Sequence, residues 1–179
     1  MEKKEEKTTK TLVIYFSYRG DTLNVGMVDK GNNEFLAEYI GNYMKADLYS
    51  IEDSTQYPEK FKAMKEFANN LRYAKKRPRA KNGFPNVEPY DTIFLIYPIW
   101  NDDIPMIIHS FIEKTDFTNK TIIPLCTHEV SGICKTYQYI KDYLIEAKVI
   151  VTDFCMIGAE ARKPEAKQTI ENWLKSLGY

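Results

Sequence analysis

Short apolar runs alternate along the chain with segments whose apolar residues recur at helical spacing. The runs rich in β-branched and aromatic residues predict five strands, at residues 11–17, 47–51, 92–97, 121–126 and 148–154. The segments with helical periodicity predict five helices, at residues 32–44, 58–73, 105–114, 137–144 and 164–177. Strand and helix therefore follow one another five times.

The strand segments themselves indicate how the sheet is built. All but the second, residues 47–51, are nearly continuous apolar runs, which is typical of strands covered on both faces. Parallel strands with helices on both faces form α/β folds, and right-handed crossovers make a doubly wound sheet the expected arrangement. The sequence shows neither an internal repeat nor a second domain, so residues 11–179 are predicted to form one domain.

Composition and charge narrow the class of protein. Hydrophobic residues make up 44% of the chain and charged residues 28%, as in ordinary globular proteins. A formal net charge of zero argues against nucleic acid as a partner. No apolar run approaches the ~20 residues that span a bilayer, and residues 1–10 lack the apolar centre of a secretory signal. We therefore expect a disordered charged tail over residues 1–10, a cytoplasmic protein and no membrane partner.

Cysteine and histidine usage does not predict a metal site. The three cysteines, Cys126, Cys134 and Cys155, show no CxxC spacing, so neither a disulfide framework nor a zinc site is indicated. With two histidines in the chain, a multi-histidine site is not expected either. Cys126 and Cys155 lie in apolar runs, where buried thiols are the simplest interpretation.

In a doubly wound sheet the ligand sits at the carboxyl ends of the strands, where the strand order reverses. The loop after the first strand carries Ser17 and Arg19, and Gly31, Asn32 and Asn33 precede the first helix. Hydroxyl, amide and guanidinium groups beside a helix N-terminus suit a phosphate, because backbone N–H groups and the helix dipole favour an anion there. A plain helix cap is the alternative, since asparagine is a good N-cap and glycine marks turns.

The loop after the third strand contains Pro98, Ile99, Trp100 and Asn101. A stiff aromatic side chain in this position suits packing against a planar ring, although a half-buried tryptophan is also ordinary packing. The following residues, 102 and 103, are both aspartates. Their carboxylates are unusual beside an electron-rich ring, and capping of the next helix is the alternative interpretation.

The loop after the fourth strand contains Thr127, His128 and Gly132, another set of small and polar residues at a strand end. Cys126 and His128 together suggest a nucleophile, but no orienting carboxylate is identifiable, so binding is the preferred role. The GxGxxG and GxxxxGK[ST] fingerprints are both absent from the sequence, which removes the usual dinucleotide and P-loop hypotheses.

Taken in order, these segments resemble the flavodoxin family, in particular its bacterial flavodoxin-like branch. The resemblance runs from about residue 11 to the C-terminus and is carried by YFSYRGDT at 15–22, GNNEFLAEYI at 31–40, QYPEKF at 56–61, YDTIFLIYPIW at 90–100, IPM at 104–106, FIEKTDFTNKTIIPLCTH at 111–128 and SGI at 131–133. It implies a flavodoxin-like sheet of five parallel strands in the order 2-1-3-4-5.

The resemblance also implies non-covalent binding of FMN. By this likeness Ser17, Arg19, Asn32 and Asn33 would meet the phosphate. The segment of Pro98, Ile99, Trp100 and Asn101 would flank the isoalloxazine ring on one side, and Thr127, His128 and Gly132 would close the other.

Two departures from the family pattern affect the site. The usual phosphate loop is short and ends in threonine, whereas here residues 18–30 form an insertion and Asn33 stands in the threonine position. Either residues 17–22 are the phosphate loop, or Ser17 and residues 31–33 share that work across the insertion, which is the preferred arrangement. Close relatives carry Trp-Trp-Gly where this chain has Trp100-Asn101-Asp102, a change that would alter access to the ring.

Three functions fit these observations. The first is an FMN oxidoreductase that passes electrons between NAD(P)H or another small donor and a small acceptor such as a quinone, which requires no catalytic side chain. The second is a one-electron carrier that docks on partner proteins, a class that by family likeness tends to be strongly acidic, unlike this chain. The third is a flavin-free binding or regulatory domain. The oligomeric state, including a homodimer, stays open.

Overall fold

A computed structural model describes residues 9–179 of the protein. The strands are β1 Thr11–Tyr15, β2 Gly20–Thr22, β3 Gly26–Val28, β4 Asp47–Ser50, β5 Thr92–Pro98, β6 Thr121–His128, β7 Lys148–Val149 and β8 Met156–Ile157. The helices are α1 Asn32–Met44, α2 Phe61–Tyr73, α3 Met106–Lys114, α4 Thr136–Tyr143, α5 Gly158–Ala161 and α6 Glu165–Ser176.

The central sheet has the predicted doubly wound topology. Its strand order is β4-β1-β5-β6-β7, with β8 also paired to β6, and every pairing in it is parallel. In the numbering of the predicted strands this is the order 2-1-3-4-5, so the predicted α/β flavodoxin-like fold is confirmed. The carboxyl ends of β1, β5 and β6 consequently meet at one edge of the sheet, on either side of the point where the strand order reverses.

The fifth strand differs from the prediction of one continuous strand over residues 148–154. Of these residues only 148 and 149 form a strand on β6, as β7, and β8 pairs with β6 beyond the predicted segment, at residues 156–157. Between them the Tyr137 hydroxyl is inserted: it accepts a hydrogen bond from the Cys126 N–H at 2.9 Å and donates one to the Phe154 carbonyl at 2.8 Å. The hydroxyl thus takes the place of a direct backbone bond between the two chain segments here, and the pairing with β6 is interrupted between β7 and β8.

Two hydrophobic layers cover the sheet. Alternate residues of one strand, such as Phe94 and Leu95, belong to different layers, because successive side chains of a strand point to opposite faces. Helices α3 and α4 cover one face, and their buried residues include Ile107, Ile108, Phe111, Tyr137 and Ile140. Helices α1 and α6 cover the other, with Leu36, Ala37, Ile40, Ile170, Trp173 and Leu174.

Residues 18–30, for which the sequence predicted no regular structure, form an antiparallel hairpin of β2 and β3. Its turn places Asn24 at φ 64° and Gly26 at φ 86°, conformations that asparagine and glycine tolerate best. The hairpin is fixed to the segment before α2 by hydrogen bonds from the Tyr18 hydroxyl to the Pro58 carbonyl, 2.8 Å, and from the Asp21 N–H to the Glu59 carbonyl, 2.9 Å. These bonds keep residues 58–60 out of α2, which begins at residue 61 and not at 58.

The remaining helix boundaries lie close to the predicted ones, and the short helix α5 was not predicted. The predicted tail at residues 1–10 falls outside the described residues apart from Thr9 and Lys10. Lys10 packs against the domain. Its backbone N–H donates to the Asp91 carboxylate, and its side-chain ammonium lies 3.4 Å from the Asp47 carboxylate. No helix within residues 9–179 has the length and apolar character needed to cross a membrane.

Candidate functional site

A cavity of about 400 Å³ opens at the carboxyl ends of β1, β5 and β6, a size within the range of ligand pockets. The loops after these strands, the β2–β3 hairpin and one face of α2 form its walls. Of the site residues predicted from the sequence, those that line it are Ser17, Asn32, Asn33, Pro98, Ile99, Trp100, Asn101, Thr127 and His128. Arg19, Gly31 and Gly132 are not among the cavity-lining residues.

The end of β1 and the start of α1 meet across the hairpin. The buried Asn33 side chain donates from Nδ2 to the Phe16 carbonyl at 2.9 Å, which fixes the first turn of α1 beside Ser17. Gly31 is packed so closely here that a Cβ would overlap the Ser17 Oγ and the Tyr18 carbonyl. Ser17 and residues 31–33 therefore lie together on one side of the cavity, as the preferred arrangement across the insertion requires.

Arg19 is directed away from the cavity by an ion pair. Its Nε and a terminal nitrogen donate to the two Glu34 carboxylate oxygens at 3.1 and 2.9 Å. The Glu34 carboxylate also accepts from the Gly31 N–H at 2.9 Å. Burial alone would raise the pKa of Glu34, but the hydrogen bonds from Arg19 and Gly31 outweigh it and lower that pKa. Because a carboxylate in the first turn of α1 takes both donors, neither the Arg19 guanidinium nor the Gly31 N–H is directed at the cavity.

Asn32 is positioned by a residue that the sequence did not point to. Arg162, just after α5, donates to the Asn32 Oδ1 at 3.2 Å and to the Lys30 carbonyl at 2.7 Å. Gly158 lies against the Asn32 amide, with no space there for a larger side chain. These contacts fix the Asn32 side chain at the cavity wall. Arg162 lies about 130 residues from Asn32 along the chain, and no local pattern relates the two.

Trp100 forms the centre of an aromatic group beside the cavity. Its ring lies 5.2 Å from that of Tyr57, 5.4 Å from Phe16 and 5.9 Å from Tyr18, in edge-on arrangements. These contacts hold the indole in one orientation at the end of β5. The backbone of residues 98–101 continues along the same wall.

The two aspartates after Trp100 do not share one role. Asn101 and Asp102 adopt φ values of 52° and 61° and both line the cavity. Asp103 instead accepts from the Ile104 N–H at 2.8 Å and lies 3.4 Å from His109 Nε2. Burial raises the pKa of Asp103, and the contacts with His109 outweigh it and lower that pKa. No side-chain hydrogen bond caps α3, so helix capping does not account for either aspartate.

The loop after β6 faces the hairpin across the cavity mouth. Thr127, near the end of β6 itself, is buried, and Glu129, in the loop, accepts a hydrogen bond from Asn24 Nδ2, in the hairpin turn, at 2.9 Å. Burial raises the pKa of Glu129, and the bond from Asn24 only partly offsets that effect. Val130 and Ser131 line the cavity, whereas Gly132 makes the turn behind them at φ 66°.

Helix α2 supplies a whole wall of the cavity, although the sequence analysis predicted no site residue in this helix. Its cavity side carries two lines of residues at helical spacing, an apolar one of Phe61, Met64 and Ala68 and a polar one of Lys65, Asn69 and Arg72. The polar line could have been recognised in the sequence, because polar residues at positions i, i+4 and i+7 share one helix face.

Buried polar atoms concentrate at this cavity. Within residues 9–179, six buried side-chain nitrogen or oxygen atoms have no hydrogen-bond partner, and four belong to cavity-lining residues: Ser17 Oγ, Asn33 Oδ1, Arg72 Nε and His128 Nδ1. Buried polar groups are normally paired, since an unpaired one costs about 1–3 kcal/mol. Such groups around a concave, partly apolar space are the arrangement expected of a site that binds a polar, ring-containing ligand.

Comparisons with known proteins agree with this geometry. The flavodoxin family profile matches residues 10–177. A candidate flavoprotein from Bacteroides eggerthii is 26% identical, with a TM-score of 0.70 over 96% of this chain and 99% of that chain. One from Bacteroides uniformis is 23% identical, with a TM-score of 0.69 over 93% and 98%.

A flavoprotein from Lactobacillus acidophilus, solved in complex with FMN, is 16% identical, with a TM-score of 0.64 over 89% of this chain and 97% of that chain. A search of curated protein sequences finds no match. The family profile covers nearly the whole chain and coincides with the doubly wound sheet and with the cavity at its switch point. The protein belongs to the flavodoxin family.

Proposed function

We propose that this protein binds FMN in the cavity at the ends of β1, β5 and β6 and uses it as an oxidoreductase. The observation that carries the proposal is the set of unpaired buried polar atoms on Ser17, Asn33 and His128, which surround a cavity with an aromatic wall. The L. acidophilus protein that shares this fold was solved with FMN.

The phosphate of the flavin would lie at the start of α1. The Ser17 hydroxyl has a donor to give and is unpaired within the described chain, and the side-chain amide of Asn32 is held beside it by Arg162. The first-turn N–H groups of a helix have no partner inside the helix and attract an anion. The chain thus offers hydroxyl, amide and backbone donors to the phosphate, without a guanidinium.

The isoalloxazine ring would lie between the loops after β5 and β6. The edge-packed indole of Trp100 supplies a rigid flat surface, and residues 98–101 present backbone groups along one wall. The buried His128 Nδ1 has no hydrogen-bond partner within the described residues and is available to hydrogen-bond with a polar edge of the ring. FMN supplies hydride or single-electron transfer when bound, and these residues orient it and limit its contact with water.

The electron donor would be NAD(P)H or another small molecule, and the acceptor a small molecule such as a quinone. The mixed α2 wall supports this: Phe61, Met64 and Ala68 offer an apolar surface, and Lys65 and Arg72 offer charge at its border. A one-electron carrier is the second candidate. It is favoured by Val130, 89% exposed at the cavity mouth, because an apolar side chain open to solvent suits docking of a protein partner.

The test is an absorbance spectrum of the purified protein after incubation with FMN and removal of the excess, followed by turnover assays. A yellow protein that oxidises NAD(P)H steadily with a quinone supports the oxidoreductase. A yellow protein without that turnover, but reduced quickly by a partner reductase, identifies a carrier. A protein that stays colourless after incubation with FMN overturns the flavin assignment and leaves a binding or regulatory domain.

A further inference from the structure

Two cysteines lie opposite each other beside the flavin-site loop. In the parallel pairing of β6 with β8, Thr127 is opposite Met156 and His128 is opposite Ile157. One residue earlier, the same register places Cys126 opposite Cys155. Opposed residues of parallel neighbours point to the same face, and both cysteines pack in the layer of α3 and α4. The two thiols are close enough for each to shift the pKa of the other.

The Tyr137 hydroxyl fixes the two cysteine backbones at this point of the sheet. It is bound to the Cys126 N–H and to the carbonyl of Phe154, the residue before Cys155, and lies 3.5 Å from the Cys126 sulfur. A disulfide needs Cα atoms roughly 4.4–6.8 Å apart, and opposed residues of adjacent strands are about 4.8 Å apart. The next two residues of the strands are directly paired, Thr127 with Met156 and His128 with Ile157, so the strands lie at pairing distance immediately beside the cysteines.

The two thiols have different surroundings. Cys126 is fully buried, whereas Cys155 is partly exposed and also contacts His128. The hydrogen bond from Cys126 and, against the effect of burial, the proximity of His128 lower the pKa of Cys155 to about 6. The same bond and burial raise the pKa of Cys126. The Cys155 thiol is thus partly exposed and has a lowered pKa, whereas the Cys126 thiol is buried. Redox-active cysteine pairs show the same difference between their two thiols.

We propose that Cys126 and Cys155 form a redox-active dithiol that exchanges electrons with low-molecular-weight disulfides, with Cys155 as the attacking and Cys126 as the resolving thiol. This site is separate from the proposed flavin function. It is one residue from cavity-lining Thr127, but its chemistry requires no flavin.

The small disulfide is the oxidant in this exchange. The Cys155 thiolate attacks one sulfur of the small disulfide, so that a mixed disulfide forms and one small thiolate leaves and takes up a proton. The Cys126 thiol then loses its proton to water and attacks the Cys155 sulfur. The second small thiol leaves. Two protein thiols have then lost two electrons and two protons, and one disulfide has become two thiols.

Cys134 provides an internal control because its surroundings are different. Its sulfur lies 3.6 Å from the Asp102 carboxylate and 3.6 Å from the Ser131 carbonyl. Partial burial and the aspartates raise the pKa of Cys134, although the contact with Ser131 acts in the other direction. Cys134 should therefore react at least about tenfold more slowly than Cys155 with the same reagent at neutral pH.

The experiment incubates the full chain, with and without FMN, in glutathione disulfide, traps free thiols with an alkylating reagent and maps them by mass spectrometry. We expect a peptide linked through Cys126 and Cys155, a free Cys134, and reversal by excess reduced glutathione. Cys126→Ser should instead accumulate one glutathione on Cys155, and Cys134→Ser should behave as the unchanged protein.

Two results would overturn the proposal: both cysteines remaining alkylatable under conditions that oxidise a reference dithiol, or glutathione attached mainly to Cys134. Circular dichroism of each variant separates loss of exchange from loss of the fold. Because the FMN-free protein is tested in parallel, the result of the thiol experiment can be interpreted even if the protein does not bind FMN.

Discussion

Arg19 and Glu34 form a two-point ion pair at the start of α1, with N–O distances of 3.1 and 2.9 Å. The Glu34 carboxylate is mostly buried, whereas the Arg19 side chain is 54% exposed. The pair closes the outer side of the first helical turn and leaves its inner side to Ser17 and Asn32. Anion binding at this helix start would therefore depend on uncharged donors.

Replacing Ser17 should weaken FMN binding much more than replacing Arg19. Ser17→Ala removes a hydroxyl that would donate to the phosphate, and a hydrogen bond to a charged group contributes about 1.5–3 kcal/mol, roughly ten- to a hundredfold in Kd. Arg19→Gln removes a surface ion pair and should change Kd by less than about threefold. Fluorescence titration of FMN measures both. A larger loss in Arg19→Gln than in Ser17→Ala would show that Arg19 swings to the phosphate.

The contact between Gly31 and Ser17 predicts a steric effect. In Gly31→Ala the new methyl group would overlap the Ser17 hydroxyl and the Tyr18 carbonyl, although the backbone at φ −76° accepts alanine. Overpacking of this kind costs about 1–3 kcal/mol, roughly 3–10 °C in Tm for a domain of this size. Adding Ser17→Gly should restore part of the loss in thermal unfolding. If the effects of the two substitutions on Tm are strictly additive, the residue 31 methyl group does not contact the Ser17 side chain.

The sheet could be predicted from the sequence because its strands are buried on both faces and so carry a strong local signal. The apolar run at residues 92–97 predicts β5 almost to its ends. The hairpin at residues 18–30 carries no such signal, since its strands have three residues each and are held by bonds to residues 58 and 59. The break in the fifth strand depends on the hydroxyl of Tyr137, which no local pattern places between two strands.

In the candidate site, too, features with a local sequence signal could be predicted and features that depend on distant residues could not. Residues at strand ends, such as Trp100 and His128, could be placed at the switch point because the topology fixes where strands end. Arg19 was placed with the phosphate because of its charge, and the sequence alone does not show that Glu34, fifteen residues on, is its partner. No site residue was predicted in helix α2, because the helical spacing of Met64 and Ala68 shows only that they share one face, and such a face can pack and line a cavity together.

The two tryptophans of the chain allow a matched comparison. Trp100 lies at the cavity, whereas Trp173 is buried on the other side of the sheet, stacked on Phe154 at 4.9 Å. Trp100→Leu should raise the Kd for FMN by about tenfold or more, because the flat wall is lost. Trp173→Leu should destabilise the fold by roughly 2–4 kcal/mol and leave that Kd unchanged. Equal effects of the two variants on Kd would place the flavin elsewhere.

Asp102 should lower the midpoint potential of a bound flavin. Asp102 lines the cavity, and a negative charge there disfavours the anionic reduced ring. Asp102→Asn should therefore raise the potential, by on the order of 10–30 mV since the exposed charge is screened by solvent. Asp103→Asn is the control, because Asp103 is directed at His109. A redox titration in which the Asp102 variant keeps the original potential would mean that the carboxylate lies away from the ring.

Alkylation of Cys155 should depend on pH in a way that an ordinary thiol does not. The thiolate is the reactive form, so the rate rises with pH through the pKa of the group, which the contacts with Cys126 and His128 lower to about 6. With iodoacetamide, the rate at Cys155 should be half-maximal near pH 6 and level above pH 7. The rate at Cys134 should still be rising at pH 9, since its pKa is raised. In Cys126→Ala the hydrogen bond is lost, and the midpoint for Cys155 should move upward towards that of an ordinary cysteine. A midpoint for Cys155 that matches Cys134 in the unchanged protein would show that the three side chains do not meet as described, and would remove the chemical difference on which the dithiol depends.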